Sequence, residues 1–177
     1  MEKITFETEK IPFRKRFGKD IKIKILVFLI FTLIPINKAG FNIISILFIL
    51  FFLFVTLYLI YNESKVFVYK IEFDNEKLNI FGSNFNNDWI ETFDIKTVNI
   101  QIKVSVSKTG YVKGYTLVFK NTKKKIVVNK LYNWNNFTLY MIFIEFKKNK
   151  GEKIIIDEKS LIDGIKKKAE EDGEWEN

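Results

Sequence analysis

"FNIISILFILFFLFVTLYLIY", residues 41–61, is one unbroken apolar run. Only Asn42, Ser45 and Thr56 interrupt it with clearly polar side chains. As an α-helix, its 21 positions span roughly 31 Å at 1.5 Å per residue, about the thickness of a hydrocarbon core. A soluble core helix of this length would carry a polar stripe, and this one has none. Tyr58 and Tyr61 stand at its far end, where interfacial aromatics belong. The run therefore reads as a transmembrane helix.

A second apolar run precedes it: "IKIKILVFLIFTLIPI", residues 21–36. Its strictly apolar part is short, but Lys22 and Lys24 can snorkel along their aliphatic stems. Pro35 comes late, where little helix follows. "NKAG", residues 37–40, supplies a tight turn. The expectation is a helical hairpin with members at about 21–38 and 41–61. A cleaved signal peptide competes for the first run. Its leading region would hold four acids, Glu2, Glu7, Glu9 and Asp20, and no A-x-A site follows. The hairpin is therefore the expectation.

Flanking charge gives the orientation. Residues 1–24 hold Lys3, Lys10, Arg14, Lys15, Arg16, Lys19, Lys22 and Lys24, whereas the hairpin turn holds only Lys38. The positive-inside rule puts the N-terminus in the cytoplasm, and two crossings return the chain there. The reading is a multi-pass protein of the cell (inner) membrane with both termini cytoplasmic.

From Lys65 the pattern becomes β-like. "KVFVYKIEF" (65–73), "LNIFG" (78–82), "WIETFDI" (89–95), "TVNIQIKVSVS" (97–107), "YVKGYTLVF" (111–119) and "KIVVNK" (125–130) read as six strands. In 97–107, Val98, Ile100, Ile102, Val104 and Val106 share one face, the pattern of a half-buried antiparallel strand. "SNFNND", 83–88, reads as a polar loop. No helix of ten to fifteen residues lies between strands, which disfavours a parallel βαβ sheet. "NWNNFTLYMIFIEFKKNKGEK", 133–153, carries Asn135 or Asn136 as N-cap, lysines at its end and Gly151 as its stop, so it reads as a helix. A β-hairpin over 137–156 stays open beside it. "DEKSLIDGIKKKAEE" is an amphipathic helix, weakened by Gly164 by roughly 1 kcal/mol.

The order of parts resembles the bacterial pleckstrin-homology-like membrane proteins. "WIETFDIKTVNIQIK", 89–103, carries the resemblance best, through its strand, its step from Ile95 to Val98 and the long strand after it. "LYNWNNFTLYMIFIEF" is similar to the closing helix of those proteins. The resemblance implies an α+β membrane protein: a two-helix hairpin, then a small antiparallel barrel or sandwich closed by a C-terminal helix. It implies no catalytic residues. The division is 1–20 as a basic cytoplasmic N-terminus, 21–61 as the hairpin, 62–153 as the β-domain with its closing helix, and 154–177 as an amphipathic helix and tail.

Composition narrows the chemistry. The chain has neither Cys nor His. That excludes disulfides, thiol nucleophiles, Cys/His zinc sites and imidazole acid–base catalysis. No phosphate-loop pattern is present. Asp74, Glu76, Asp88, Glu91 and Asp94 sit in or beside expected turns, and no acid falls inside either apolar run. The expectation is a protein that is no enzyme, with no cofactor and no metal. Net charge is +8, but Arg occurs only at Arg14 and Arg16, and Lys, Asn, Ile and Phe are all abundant, the mix that AT-rich coding favours. Nucleic acid is not an expected partner. "KNTKKK", 120–125, offers Lys120, Lys123, Lys124 and Lys125 to an anionic headgroup or a protein partner. Arg14, Lys15 and Arg16 touch lipid phosphates by position. Two functions stay open: an interaction module held at the membrane, and an accessory or immunity-type subunit acting through its hairpin. Oligomeric state is not legible.

Overall fold

A computed structural model describes residues 3–18, 21, 25, 28, 43–107, 109–131 and 133–174. The first member of the expected hairpin falls almost wholly outside these residues. The chain divides into two units, one of residues 1–10 and 67–177, the other of residues 11–66.

The second unit contains helix α1 (Phe13–Gly18) and helix α2 (Ile43–Ser64). The 22 residues of α2 are long and apolar enough to cross a membrane. Most of its side chains are exposed, Ile43 at 74% and Phe54 at 69%, while Ser45, Ile49, Leu53, Val55 and Thr56 are half-buried. Full burial comes only at its end, with Ile60 and Ser64. There Ser64 Oγ donates back to the Ile60 carbonyl at 2.8 Å, a local bond that serines make where a helix runs out. Phe13 meets Tyr61 edge-on, ring centroids 6.5 Å apart.

The first unit is α+β. Strands β1 (Ile4–Glu7), β2 (Val66–Asp74), β3 (Lys77–Asn84) and β4 (Asn87–Asp94) form one sheet in that order. Strands β5 (Asn99–Val106), β6 (Val112–Lys120) and β7 (Lys125–Val128) form another. Pairing is antiparallel in both. Helices α3 (Asn136–Lys150) and α4 (Ile156–Glu171) follow. Of the barrel or sandwich that the resemblance implied, no closed barrel forms; the strands stay in two antiparallel sheets.

One apolar core joins these parts. It takes Ile71 and Phe73 from β2, Leu78 and Ile80 from β3, Leu117 and Phe119 from β6, and Leu139, Phe143 and Phe146 from α3. The rings of Phe119 and Phe146 meet edge-on, 5.8 Å between centroids. Trp134 is buried and donates its Nε1–H to the Val68 carbonyl at 3.0 Å, so its polar edge is satisfied inside the core.

The expected strand faces are present with two corrections. "SNFNND" is not a loop: β3 runs to Asn84 and β4 starts at Asn87, leaving a two-residue turn at Phe85–Asn86. A strand also exists before residue 65. β1 pairs with β2, Ile4 opposite Phe73 and Glu7 opposite Lys70, inside the stretch read as a basic N-terminus. On β5 the apolar face is buried at Ile100, half-buried at Ile102 and Val104, and outside by Val106, next to a register shift at Ser105.

Residues 137–156 do not form a hairpin. Asn135 caps α3, its side chain accepting from Thr138 N at 2.7 Å. Gly151 ends it with φ +70°, in the left-handed region where glycine carries no Cβ penalty. At the start of α4 Glu158 reaches back to accept from Ile155 N at 3.1 Å.

Candidate functional site

The lysine loop is built by the asparagine at its start. β6 ends at Lys120, opposite Lys125, the first residue of β7. Asn121 Oδ1 accepts from Lys123 N at 2.9 Å and Lys124 N at 2.7 Å. The Asn121 amide donates to the Lys124 carbonyl at 3.0 Å. Such a side-chain-closed turn is what asparagine favours. It leaves Lys120, Lys123 and Lys125 exposed. Lys124 reaches β4 instead, 2.5 Å from Glu91 Oε2. All four lysines of the loop are thus exposed, and Lys124 is in addition held in a surface ion pair.

The other basic set lies in the other unit, on α1. Arg14 and Lys15 are exposed. Arg16 is turned inward, 1% exposed, with its guanidinium 5.8 Å from the Phe13 ring. Burial pushes the Arg16 guanidinium below its ordinary value. Of the three residues given to lipid phosphates by position, Arg14 and Lys15 are thus at the surface and the Arg16 side chain is not.

The turn carboxylates have local partners. Glu76 pairs with Lys96 at 2.5 Å, Asp88 with Lys10 at 2.6 Å and Glu91 with Lys124. Asp94 Oδ1 accepts from Lys96 N at 2.8 Å, and Asp74 Oδ1 from Asn75 Nδ2 at 3.1 Å. The hydrogen bond to Asp88 is the main cause holding Lys10 above its ordinary value. Among the described residues no group of three or more carboxylates is placed to hold a metal ion.

Two ion-pair clusters escaped the sequence reading. Glu72 on β2 is nearly buried, 3.1 Å from Lys3 and 2.5 Å from Lys70. Burial pushes its carboxyl up, but the hydrogen bonds from Lys70 and Lys3 outweigh that and hold it below the usual carboxylate value. The second cluster joins α3 to α4. Lys147 lies 2.7 Å from Glu158 and 3.0 Å from Glu152. Lys150 lies 2.8 Å from Glu152 and donates to the Val98 carbonyl at 2.8 Å. Desolvation pulls Lys147 down, and the bonds to Glu158 and Glu152 more than reverse it. These groups are committed to one another, which is the chemistry of a fastening between helices. No sequence motif marks this cluster: Ile155 has no capping side chain, and these lysines and acids meet only through the packing of α3 on α4.

At the other end of the helix pair, Glu174 Oε2 accepts from the Asn136 and Phe137 amides. A carboxylate there meets the positive end of the α3 dipole. Lys168 bonds the Tyr111 hydroxyl at 3.1 Å and Asp172 at 3.0 Å.

No family model matches the chain, and no curated protein and no solved structure matches it either.

Proposed function

We propose that the chain is a membrane-anchored, non-catalytic interaction module: a pleckstrin-homology-like α+β unit held at the cytoplasmic face of the inner membrane and offered to a protein partner or to anionic lipid headgroups. The observation that carries this reading is the join at Lys65. A 22-residue apolar helix, α2, ends at Ser64, and β2 begins at Val66. One residue of chain reaches at most about 3.6 Å, so an α2 in the bilayer keeps the unit at its surface.

Seven antiparallel strands followed by a helix that completes their core support the pleckstrin-homology-like part of the reading. The β1–β2 pairing supports the two-pass part. Residues 11–65 are inserted between two neighbouring strands of one sheet. Both ends of such an insertion stay on one side of a membrane, so it crosses an even number of times. With α2 as one crossing, the run at 21–38 is the other, and the positive-inside rule makes the shared side cytoplasmic. The exposed Lys120, Lys123 and Lys125 would give a charged leaflet roughly 1 kcal/mol each.

The absence of cysteine makes the test direct. Single cysteines replacing Lys3, Leu50 and Lys153 are treated with a membrane-impermeant maleimide. Lys3→Cys and Lys153→Cys should react in inverted membrane vesicles and resist in intact cells, and Leu50→Cys should resist in both. Lys3→Cys and Lys153→Cys reacting from opposite sides would overturn the two-pass reading. Release of the protein from membranes without detergent would overturn the anchor.

A further inference from the structure

The run "KIIID", residues 153–157, carries the chain from the α3–α4 connection into α4. Its isoleucines point outward: Ile154, Ile155 and Ile156 are exposed at 41%, 59% and 88%. Among the described residues outside α2, no other consecutive large apolar side chains stand exposed. Connections between helices are ordinarily built of polar and turn-forming residues. Ile155 also takes the position where Ser, Thr, Asp or Asn would cap α4, and its side chain makes no capping bond. Three isoleucines thus stand where polar residues would serve the fold better, the mark of a contact surface.

The charges on either side of them are left over by the fold. Of the lysines that end α3, Lys147 pairs with Glu152 and Glu158, Lys150 with Glu152, and Lys148 with Glu145. Glu158 also accepts from the Ile155 amide, so the start of α4 already has its acid. Lys153 and Asp157 are exposed, and neither has an ion pair or a side-chain hydrogen bond among the described residues.

We propose that this run is the contact through which the protein pairs with a second copy of itself, about a two-fold axis through Ile155. The charge pattern selects the occupant. Lys153 precedes the isoleucines and Asp157 follows them. A two-fold axis therefore brings each Lys153 to the partner's Asp157 and sets each Ile154 against the partner's Ile156. A patch that is its own electrostatic complement favours another copy over a surface of one charge or none. The hollow between β5 and the start of α4, lined by Ile100, Ile102 and Leu161, opens beside Asp157 and extends the apolar area. This contact goes beyond the reading above and rests on the first unit alone. Three isoleucines and a hollow are small beside the roughly 800 Å² per partner of a stable complex, so the pair forms and parts reversibly.

Full-length protein in detergent micelles is given one cysteine, by Ile155→Cys at the axis or by Ile90→Cys at an exposed site on β4. Under mild oxidation Ile155→Cys should form the disulfide-linked dimer several-fold faster than Ile90→Cys, and added salt should shrink that advantage. In the Ile155→Cys background, Lys153→Asp alone or Asp157→Lys alone should lose it, because the two faces become alike in charge. Mixing those two variants should restore it in mixed dimers, since one copy then presents two acids and the other two lysines. The proposal is overturned if Ile155→Cys links no faster than Ile90→Cys, or if the mixture links no better than either variant alone. It is overturned equally if a maleimide cannot reach Ile155→Cys in native membranes while no dimer forms there, which marks a different partner on the same surface.

Discussion

A methyl group added to Gly164 would stand 2.6 Å from the hydroxyl oxygen of Tyr115. The glycine that weakens α4 on propensity grounds is the space into which a buried tyrosine of β6 extends. Gly164→Ala gains helix propensity of about 1 kcal/mol and drives the new methyl into a ring that is 5% exposed. Overpacking of this kind costs about 1–3 kcal/mol, so the single substitution should lower stability. With Tyr115→Phe the obstacle is gone, and the same Gly164→Ala should become stabilising. Thermal unfolding of the four proteins in this cycle gives the sign in each background.

Gly82 is a harder constraint. A Cβ there would fall 2.2 Å from Trp89 Cζ2 and 2.7 Å from the Phe67 carbonyl oxygen. The indole can move, but the carbonyl belongs to β2, the neighbouring strand in the sheet. Gly82→Ala should lose about 1–3 kcal/mol, and Trp89→Ala in the same chain should restore only part of it. Denaturant midpoints of the single and double variants test this.

Glu72 should set part of the acid limit of the unit. Its folded pKa lies below the ordinary value of 4.5. The unfolded chain then binds the proton more readily, so stability rises with pH across that interval. The contribution is complete above about 4.5 and lost as pH falls through the folded value. Glu72→Gln removes charge-assisted bonds to two partly exposed lysines, a loss of about 1 kcal/mol at neutral pH. The difference from the unsubstituted protein should shrink as pH falls below 4.5 and through the lower folded value, as urea midpoints across the pH range would show.

Cutting the chain at residue 66 should not yield a well-behaved soluble unit. The fragment 66–177 lacks β1 and bares the edge of β2, a template for pairing between copies. Joining Lys10 to Phe67 through a short Gly–Ser linker in place of the inserted residues keeps β1. That protein should run as a monodisperse species on size exclusion without detergent, whereas the truncated one should self-associate.

What was legible in the sequence follows the strength of each local signal. β5 was readable because its apolar alternation sets one face on the core, and β2 and β6 because β-branched and aromatic residues fill strands buried on both faces. The N-cap at Asn135 and the stop at Gly151 were readable because capping needs particular side chains. β1 was not: "ITFE" holds two apolar residues in four positions, too few to show a period, and its partners lie 63 to 69 residues away. The β3–β4 turn was hidden because asparagines that look like loop are here the ends of two strands. In the lysine loop, composition gave the cations but not which of them Glu91 would hold, nor that Arg16 would turn inward; those are decided by neighbours distant in sequence or on the inner side of a short helix.

The position of β1 also orders the birth of the protein. Ile4–Glu7 leave the ribosome before the apolar insertion, yet their hydrogen-bonding partners are made only after it has been translated. On the two-pass reading proposed above, the four-residue strand β1 stays unmatched until that stretch has both its ends on one side of the membrane. On that reading, closure of the sheet reports that insertion is complete, and a chain that crossed the membrane only once would leave β2 with a raw edge for quality control to find.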